Sequence, residues 1–135
     1  MNRTRQPVAV VTGGATGIGR ATSERLAAMG CAVVVVYSRS EAEAADTVAT
    51  IRARGHDAMA LCADVMHSDQ VARMVAAVVE HHGGMDYLVN NAGPRSVDPY
   101  AFREALGLAV GSMEAMIQRF LSASPGPGAS IVNVS

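Results

Sequence analysis

The sequence predicts an α/β fold: a parallel sheet with helices wound on both faces, in strand order 3-2-1-4-5. Three observations carry that prediction. Short β-branched runs alternate with stretches at helical spacing along the chain. One of those runs, Ala32-Val33-Val34-Val35-Val36, is apolar without interruption, as a strand covered on both faces is. Between the first such run and the first helical stretch lies Thr12-Gly13-Gly14-Ala15-Thr16-Gly17-Ile18-Gly19.

The first strand is Pro7-Val8-Ala9-Val10-Val11, β-branched and too short for a helix. After the glycine segment, Arg20 to Met29 is rich in helix formers and stops at Gly30. Ala32 to Val36 is the second strand. Tyr37-Ser38-Arg39-Ser40 is a polar loop, with Ser40 as N-cap and Glu43 three residues on in a capping-box pattern. The helix that follows runs to Arg54, puts Ala44, Val48 and Ile51 on one face, and ends at Gly55.

Asp57 to Cys62 is the third strand. Ala63-Asp64-Val65 leads to Ser68, a second N-cap candidate, and to a helix over Asp69 to His82. Its apolar face is Val71, Met74, Val75, Val78 and Val79, and Gly83-Gly84 closes it. Asp86 to Asn90 is the fourth strand, ending in Asn91-Ala92-Gly93-Pro94. Pro99 to Leu121 reads as one long helix with Gly107 and Gly111 as candidate break points; Met113, Met116, Ile117, Phe120 and Leu121 form its core stripe. Ser122 to Ser130, with its Pro-Gly-Pro-Gly, is a turn, and Ile131 to Val134 begins a fifth strand. With no repeat and no linker, residues 1–135 are expected to form one domain, large enough for a core.

Composition excludes several classes of function. The net charge is −1 and the arginines are scattered, so neither a nucleic-acid surface nor a membrane patch is expected. No apolar run is long enough to cross a bilayer, and Met1 to Gln6 lacks the apolar core of a secretory signal. Cys31 and Cys62 have no metal-type spacing and are expected to be buried thiols, so no metal site is predicted. A cytoplasmic location is the expectation that follows. All eleven basic residues are Arg: the chain contains no Lys.

Chemistry begins at the glycines. Their spacing is Gly-x-x-x-Gly-x-Gly rather than the commoner Gly-x-Gly-x-x-Gly. On its own such a cluster is weak evidence, and its other reading is a flexible turn with no ligand. Between a strand and a helix it becomes a phosphate site, because glycine lets backbone approach an anion that the helix N-terminus attracts. The expected fold is therefore Rossmann-type, with the ligand crevice at the carboxyl edge of the sheet, between the first and fourth strands. At the end of the second strand, where an NAD site places an acid for the ribose 2′-OH, stand Tyr37, Ser38 and Arg39. Arg39 there suits a 2′-phosphate, which favours NADP over NAD; its other reading is a solvated loop charge. Asp64, at the same edge, suits either an adenine amino group or a capped turn.

Thr12-Gly13-x-x-x-Gly17-x-Gly19, Asp64-Val65, Asn90-Asn91-Ala92-Gly93 and Ile131-Val132-Asn133-Val134-Ser135 follow one another in an order that resembles the classical short-chain dehydrogenase/reductase (SDR) family over nearly the whole chain. The resemblance implies NADP-dependent hydride transfer between nicotinamide and a small carbonyl or alcohol substrate, and the possibility of homo-oligomers. It implies that the loop from Gly13 to Gly19, with Thr12, Thr16 and the backbone at Ile18, holds the pyrophosphate. It further implies that Ser38 and Arg39 face the 2′-phosphate and that Asp64 and Val65 flank the adenine. Asn90 would brace the sheet, with Asn91, Ala92 and Gly93 beside the adenine-side ribose.

The chain departs from the family in its chemistry. The family's Tyr-x-x-x-Lys pair requires a Lys, and Tyr37, Tyr87 and Tyr100 occupy other contexts. The family's catalytic Ser comes three positions after the Asn matched by Asn133, so Ser135 is read as a strand-end residue. The family's fourth-helix Asn, aligned through Gly111, falls on Leu108. No catalytic residue is assigned. The expectation is a cofactor-binding portion truncated after the fifth strand and inactive by itself. The alternatives are a non-catalytic NADP-binding module or truncated remnant and, more remotely, a five-stranded flavin-binding domain.

Overall fold

A computed structural model describes residues 5–93, 99–123 and 126–134. Nine elements follow in order: β1 (Val8–Thr12), α1 (Gly17–Ala28), β2 (Ala32–Tyr37), α2 (Glu41–Ala53), β3 (Ala58–Cys62), α3 (Ser68–His82), β4 (Tyr87–Asn90), α4 (Pro99–Ala123) and β5 (Ser130–Asn133). The strands form one parallel sheet in the order β3-β2-β1-β4-β5, as the sequence predicts.

Alternation along the strands divides the core in two. Val8 and Val10 of β1 with Val34 and Val36 of β2 face α3 and α4, where they meet Val71, Met74, Met116 and Phe120. Ala9, Val11, Val33 and Val35 face α1 and α2, where they meet Ala27, Ala44, Val48 and Ile51. β1 and β2, buried on both sides, account for the unbroken apolar runs that carried the prediction.

Several boundaries differ from expectation for identifiable reasons. α1 begins at Gly17 rather than Arg20, because Thr16 is extended (φ −138°, ψ 159°) and its carbonyl accepts the Arg20 N–H at 3.1 Å. Gly17-Ile18-Gly19 thus forms the first helical turn despite poor helix propensity. α3 begins at Ser68, with His67 at its N-cap position: the His67 carbonyl takes the Val71 N–H at 3.1 Å. Ser40 does hold the N-cap position of α2, but with φ −88° and ψ 58° it makes no side-chain capping bond, so the capping box does not form. α4 continues unbroken through Gly107 and Gly111.

Three core assignments are also corrected. Val79 is 38% exposed and Leu121 60% exposed. Each lies about 100° round its helix from a fully buried neighbour, Val78 or Phe120, and so turns off the core face. Cys62 is exposed while Cys31 is buried, because Cys62 ends β3 at one edge of the sheet. β5 forms the other edge. Pro94 and Ser135 lie outside the described residues, as do the side chains of Tyr100 and Leu108 and part of the turn over 122–130. Among the described residues, no helix is long and apolar enough to cross a membrane.

Candidate functional site

The sheet sets the position of the site. From β1 the chain winds through α1 to β2 on one side, whereas β4 lies on the other side of β1. The helices that follow β1 and β4 therefore cover opposite faces of the sheet, and a crevice lies outside the carboxyl ends of these two strands, the place where doubly wound sheets hold ligands. A cleft of about 420 Å³ opens along this edge, within the range of small-molecule sites. Gly13, Thr16, Ser38, Arg39, Asp64, Val65, Asn91, Ala92 and Gly93 all line it. Four segments far apart in sequence are thus brought together along one cleft.

The remaining predicted residues sit behind the lining or at its rim. Thr12 and Asn90 are buried beneath it, and Gly19 is packed under the loop. Ile18 is exposed, while Gly17 has φ +54° and open space where a Cβ would be.

Thr12 is the hub of the crevice. Its Oγ1 accepts the N–H of Asn91 at 3.0 Å and of Ala92 at 3.1 Å, and lies 3.4 Å from the Val89 carbonyl, to which it can donate. One buried hydroxyl at the end of β1 therefore fixes the chain leaving β4. Asn91 ties the two strand ends again: its Nδ2 donates to the Gly13 carbonyl at 3.1 Å. Asn90 reaches the other way, its Nδ2 donating to Asn133 Oδ1 at 3.0 Å across the paired register of β4 and β5. That bond links the side chains of the two neighbouring strand ends.

Gly17 is required for its positive φ, Gly19 for space. A Cβ on Gly19 would collide with the Gly13 carbonyl oxygen and come within 2.6 Å of Asn91 Nδ2. α1 can approach the loop only because position 19 carries no side chain. The Gly14 N–H donates to the Val36 carbonyl at 3.2 Å and pulls the loop against the end of β2.

Charge in the cleft is sparse. Arg39 is exposed at its mouth and has no hydrogen-bond or ion-pair partner among the described residues. The segment Tyr37-Ser38-Arg39 supplies no acid to repel a phosphate. Asp64 is already engaged in its own turn. Its Oδ1 accepts the Met66 N–H at 3.0 Å and Oδ2 lies 3.2 Å from His67 Nδ1, while its N–H donates to Gln70 Oε1 at 2.8 Å. Asp64 thus caps a turn and also lines the cleft. Burial, and then the charges of Glu41 and Cys62, push the Tyr37 phenol above its ordinary value, so Tyr37 stays neutral near pH 7 and is not an activated base.

Sequence reasoning missed several contributors. Met66 and Ala109 also line the cleft. Ser23 and Thr47 are buried hydroxyls that donate to the Gly14 and Ala15 carbonyls. Their signal was a hydroxyl on the buried face of a helix, where it needs a partner. Ala109 carried no signal, because its place depends on how α4 crosses the sheet.

The family profile described as short chain dehydrogenase matches residues 7–135. The Bacillus subtilis short-chain dehydrogenase/reductase homolog YusS is 51% identical over 85 residues, covering 63% of this chain and 78% of that protein. The granaticin polyketide synthase putative ketoacyl reductase 2 of Streptomyces violaceoruber is 37% identical over 139 residues, covering 96% of this chain and 54% of that protein. A short chain dehydrogenase from Burkholderia cenocepacia, solved in complex with NADP, superposes with a TM-score of 0.85 at 37% identity, covering 98% of this chain and 56% of the solved one. The chain thus spans about half the length of these last two.

Proposed function

This chain belongs to the short-chain dehydrogenase family, and from that premise we propose that its strand-end cleft binds NADP(H) in preference to NAD(H). The observation that carries the preference is Arg39. It lines the cleft just past β2, exposed and without a partner among the described residues, with no acid beside it in the loop. A guanidinium so placed is matched to a ribose 2′-phosphate. The NADP complex of the Burkholderia cenocepacia relative supports the same reading.

The other roles follow the arrangement of the cleft. Backbone N–H groups of the loop from Gly13 to Gly19, at the N-terminus of α1, would hold the pyrophosphate. Ser38 would stand with Arg39 at the 2′-phosphate. Asp64 and Val65 would flank the adenine. Asn91, Ala92 and Gly93 would lie beside the adenine-side ribose, held by Thr12 and Asn90. When bound, the nicotinamide supplies or accepts the hydride that interconverts a carbonyl and an alcohol. The 135 residues contribute binding and orientation to that chemistry. They hold no Tyr-x-x-x-Lys pair, and Tyr37 is shifted away from acid–base use. That combination also favours a second reading of the chain by itself, as an NADP-binding module without turnover. Val110 and Leu121 of α4 and Val132 of β5 are exposed apolar side chains that a second copy of the chain could cover.

Calorimetric titration with NADPH and NADH tests the proposal. The wild-type chain is expected to prefer NADPH, and Arg39→Ala to weaken NADPH by about tenfold to a hundredfold, the range for a charge-assisted contact, while leaving NADH nearly unchanged. Equal affinities in the wild type, or a preference for NADH, would remove Arg39 from the role. In the same preparation, NADPH with a panel of ketones is expected to be oxidised at the background rate; robust reduction would overturn the inactive reading.

A further inference from the structure

Three consecutive carbonyls of the glycine loop each accept a hydrogen bond from a side chain on a different element. Asn91, past β4, takes that of Gly13 at 3.1 Å; Ser23 of α1 takes that of Gly14 at 3.2 Å; Thr47 of α2 takes that of Ala15 at 3.1 Å. A trans peptide is planar, so its N–H points opposite to its C=O. Fixing these three carbonyls therefore fixes the N–H groups of Gly14, Ala15 and Thr16. The first of these is spent on the Val36 carbonyl. Among the described residues, the Ala15 and Thr16 N–H groups take part in none of the chain's backbone bonds, and both residues line the cleft.

Thr47 stands out among the three donors. It is fully buried on the face of α2 that carries Ala44, Val48 and Ile51. A hydroxyl there needs one acceptor, and the Glu43 carbonyl one turn back, at 2.8 Å, already provides it. The hydroxyl nevertheless sits within reach of Ala15 as well and shares its proton between the two. Helix stability alone does not call for that second contact, and valine would fill the same space.

We propose that Thr47 is a positioning residue for the phosphate loop: from α2 it orients the Ala15–Thr16 peptide so that the Thr16 N–H is presented to the pyrophosphate of the bound dinucleotide. This assignment rests on the nucleotide-binding reading above. It places a determinant of phosphate affinity on a helix that contributes no residue of the glycine motif.

The test compares two ligands on the full 135-residue chain: NADPH, which carries the pyrophosphate, and adenosine 2′-monophosphate, which does not. Dissociation constants are read by calorimetry or, for the weaker ligand, by NMR shifts. Thr47→Val is expected to weaken NADPH about tenfold and leave adenosine 2′-monophosphate unchanged, and Thr47→Ser to restore wild-type affinity. Should Thr47→Val fail to fold, Thr47→Ala is measured in the same way. Unchanged NADPH binding, or equal weakening of both ligands together with a lowered Tm, would overturn the assignment. If the wild-type chain binds neither ligand, the nucleotide-binding reading itself falls, and Thr47's role with it.

Discussion

Gly19→Ala is expected to abolish measurable NADPH binding and to destabilise the chain by about 3 kcal/mol, at the upper end of the range for overpacking a filled site. The methyl group would be driven into the Gly13 carbonyl, with its carbon at 2.7 Å and its oxygen closer still, and would stand 2.6 Å from Asn91 Nδ2. These are not the free ends of flexible side chains. The carbonyl is loop backbone, and the amide is already bonded to it. Relief requires α1 to back away from the loop or the loop to leave the end of β4. Either movement separates the helix N-terminus from the N–H groups meant to act with it, so stability and binding fail together. Chemical denaturation and an NADPH titration check the two effects. Wild-type stability with wild-type affinity would show that position 19 tolerates a side chain and that the close packing does not matter.

The second large effect is expected at Thr12. Thr12→Val keeps the shape and removes the oxygen, leaving the Asn91 and Ala92 N–H groups without the acceptor they share. At 2% exposure Thr12 gives water little room to replace it. The cost of stranding those donors is about 2–4 kcal/mol. The expected signature is a lower denaturation midpoint at unchanged m-value, together with weaker NADPH binding as the 90–93 segment loosens. Thr12→Ser, which keeps the hydroxyl, is expected to recover most of both. A Val variant within about 0.5 kcal/mol of wild type, the usual scatter for neutral substitutions, would contradict the hub role.

These two residues also show what sequence reading reaches. Thr12 and Gly19 were both marked by the glycine motif, but only as members of it. That the threonine oxygen gathers the chain leaving β4, and that position 19 is closed by a carbonyl six residues earlier, are facts of packing. Strand order and the place of the cleft were legible because continuous apolar runs such as Ala32 to Val36 fit a parallel sheet covered on both faces. The start of α1 was not, since Gly17-Ile18-Gly19 is helical through the extended cap at Thr16 rather than through propensity. Val79 and Leu121 were misplaced because helical periodicity resolves a face of the helix but not its rim. Cys62 was misplaced because its reading rested on spacing and strand position and did not draw on the predicted strand order, which already puts β3 at an edge. Thr47 was missed because a hydroxyl on a buried helix face signals only that an acceptor is needed, not that the acceptor lies in a loop 32 residues away.

On the proposed function, the carboxyl edge of this sheet is a dinucleotide site assembled from four separate segments. Two-dimensional amide NMR of the isotopically labelled 135-residue chain, titrated with NADPH, tests it most directly. The expected result is saturable shifts confined to Gly13 through Gly19, Ser38 and Arg39, Asp64 and Val65, and Asn91 through Gly93. No shift at millimolar NADPH, or shifts clustered on the outer faces of α4 and β5 instead, would contradict it.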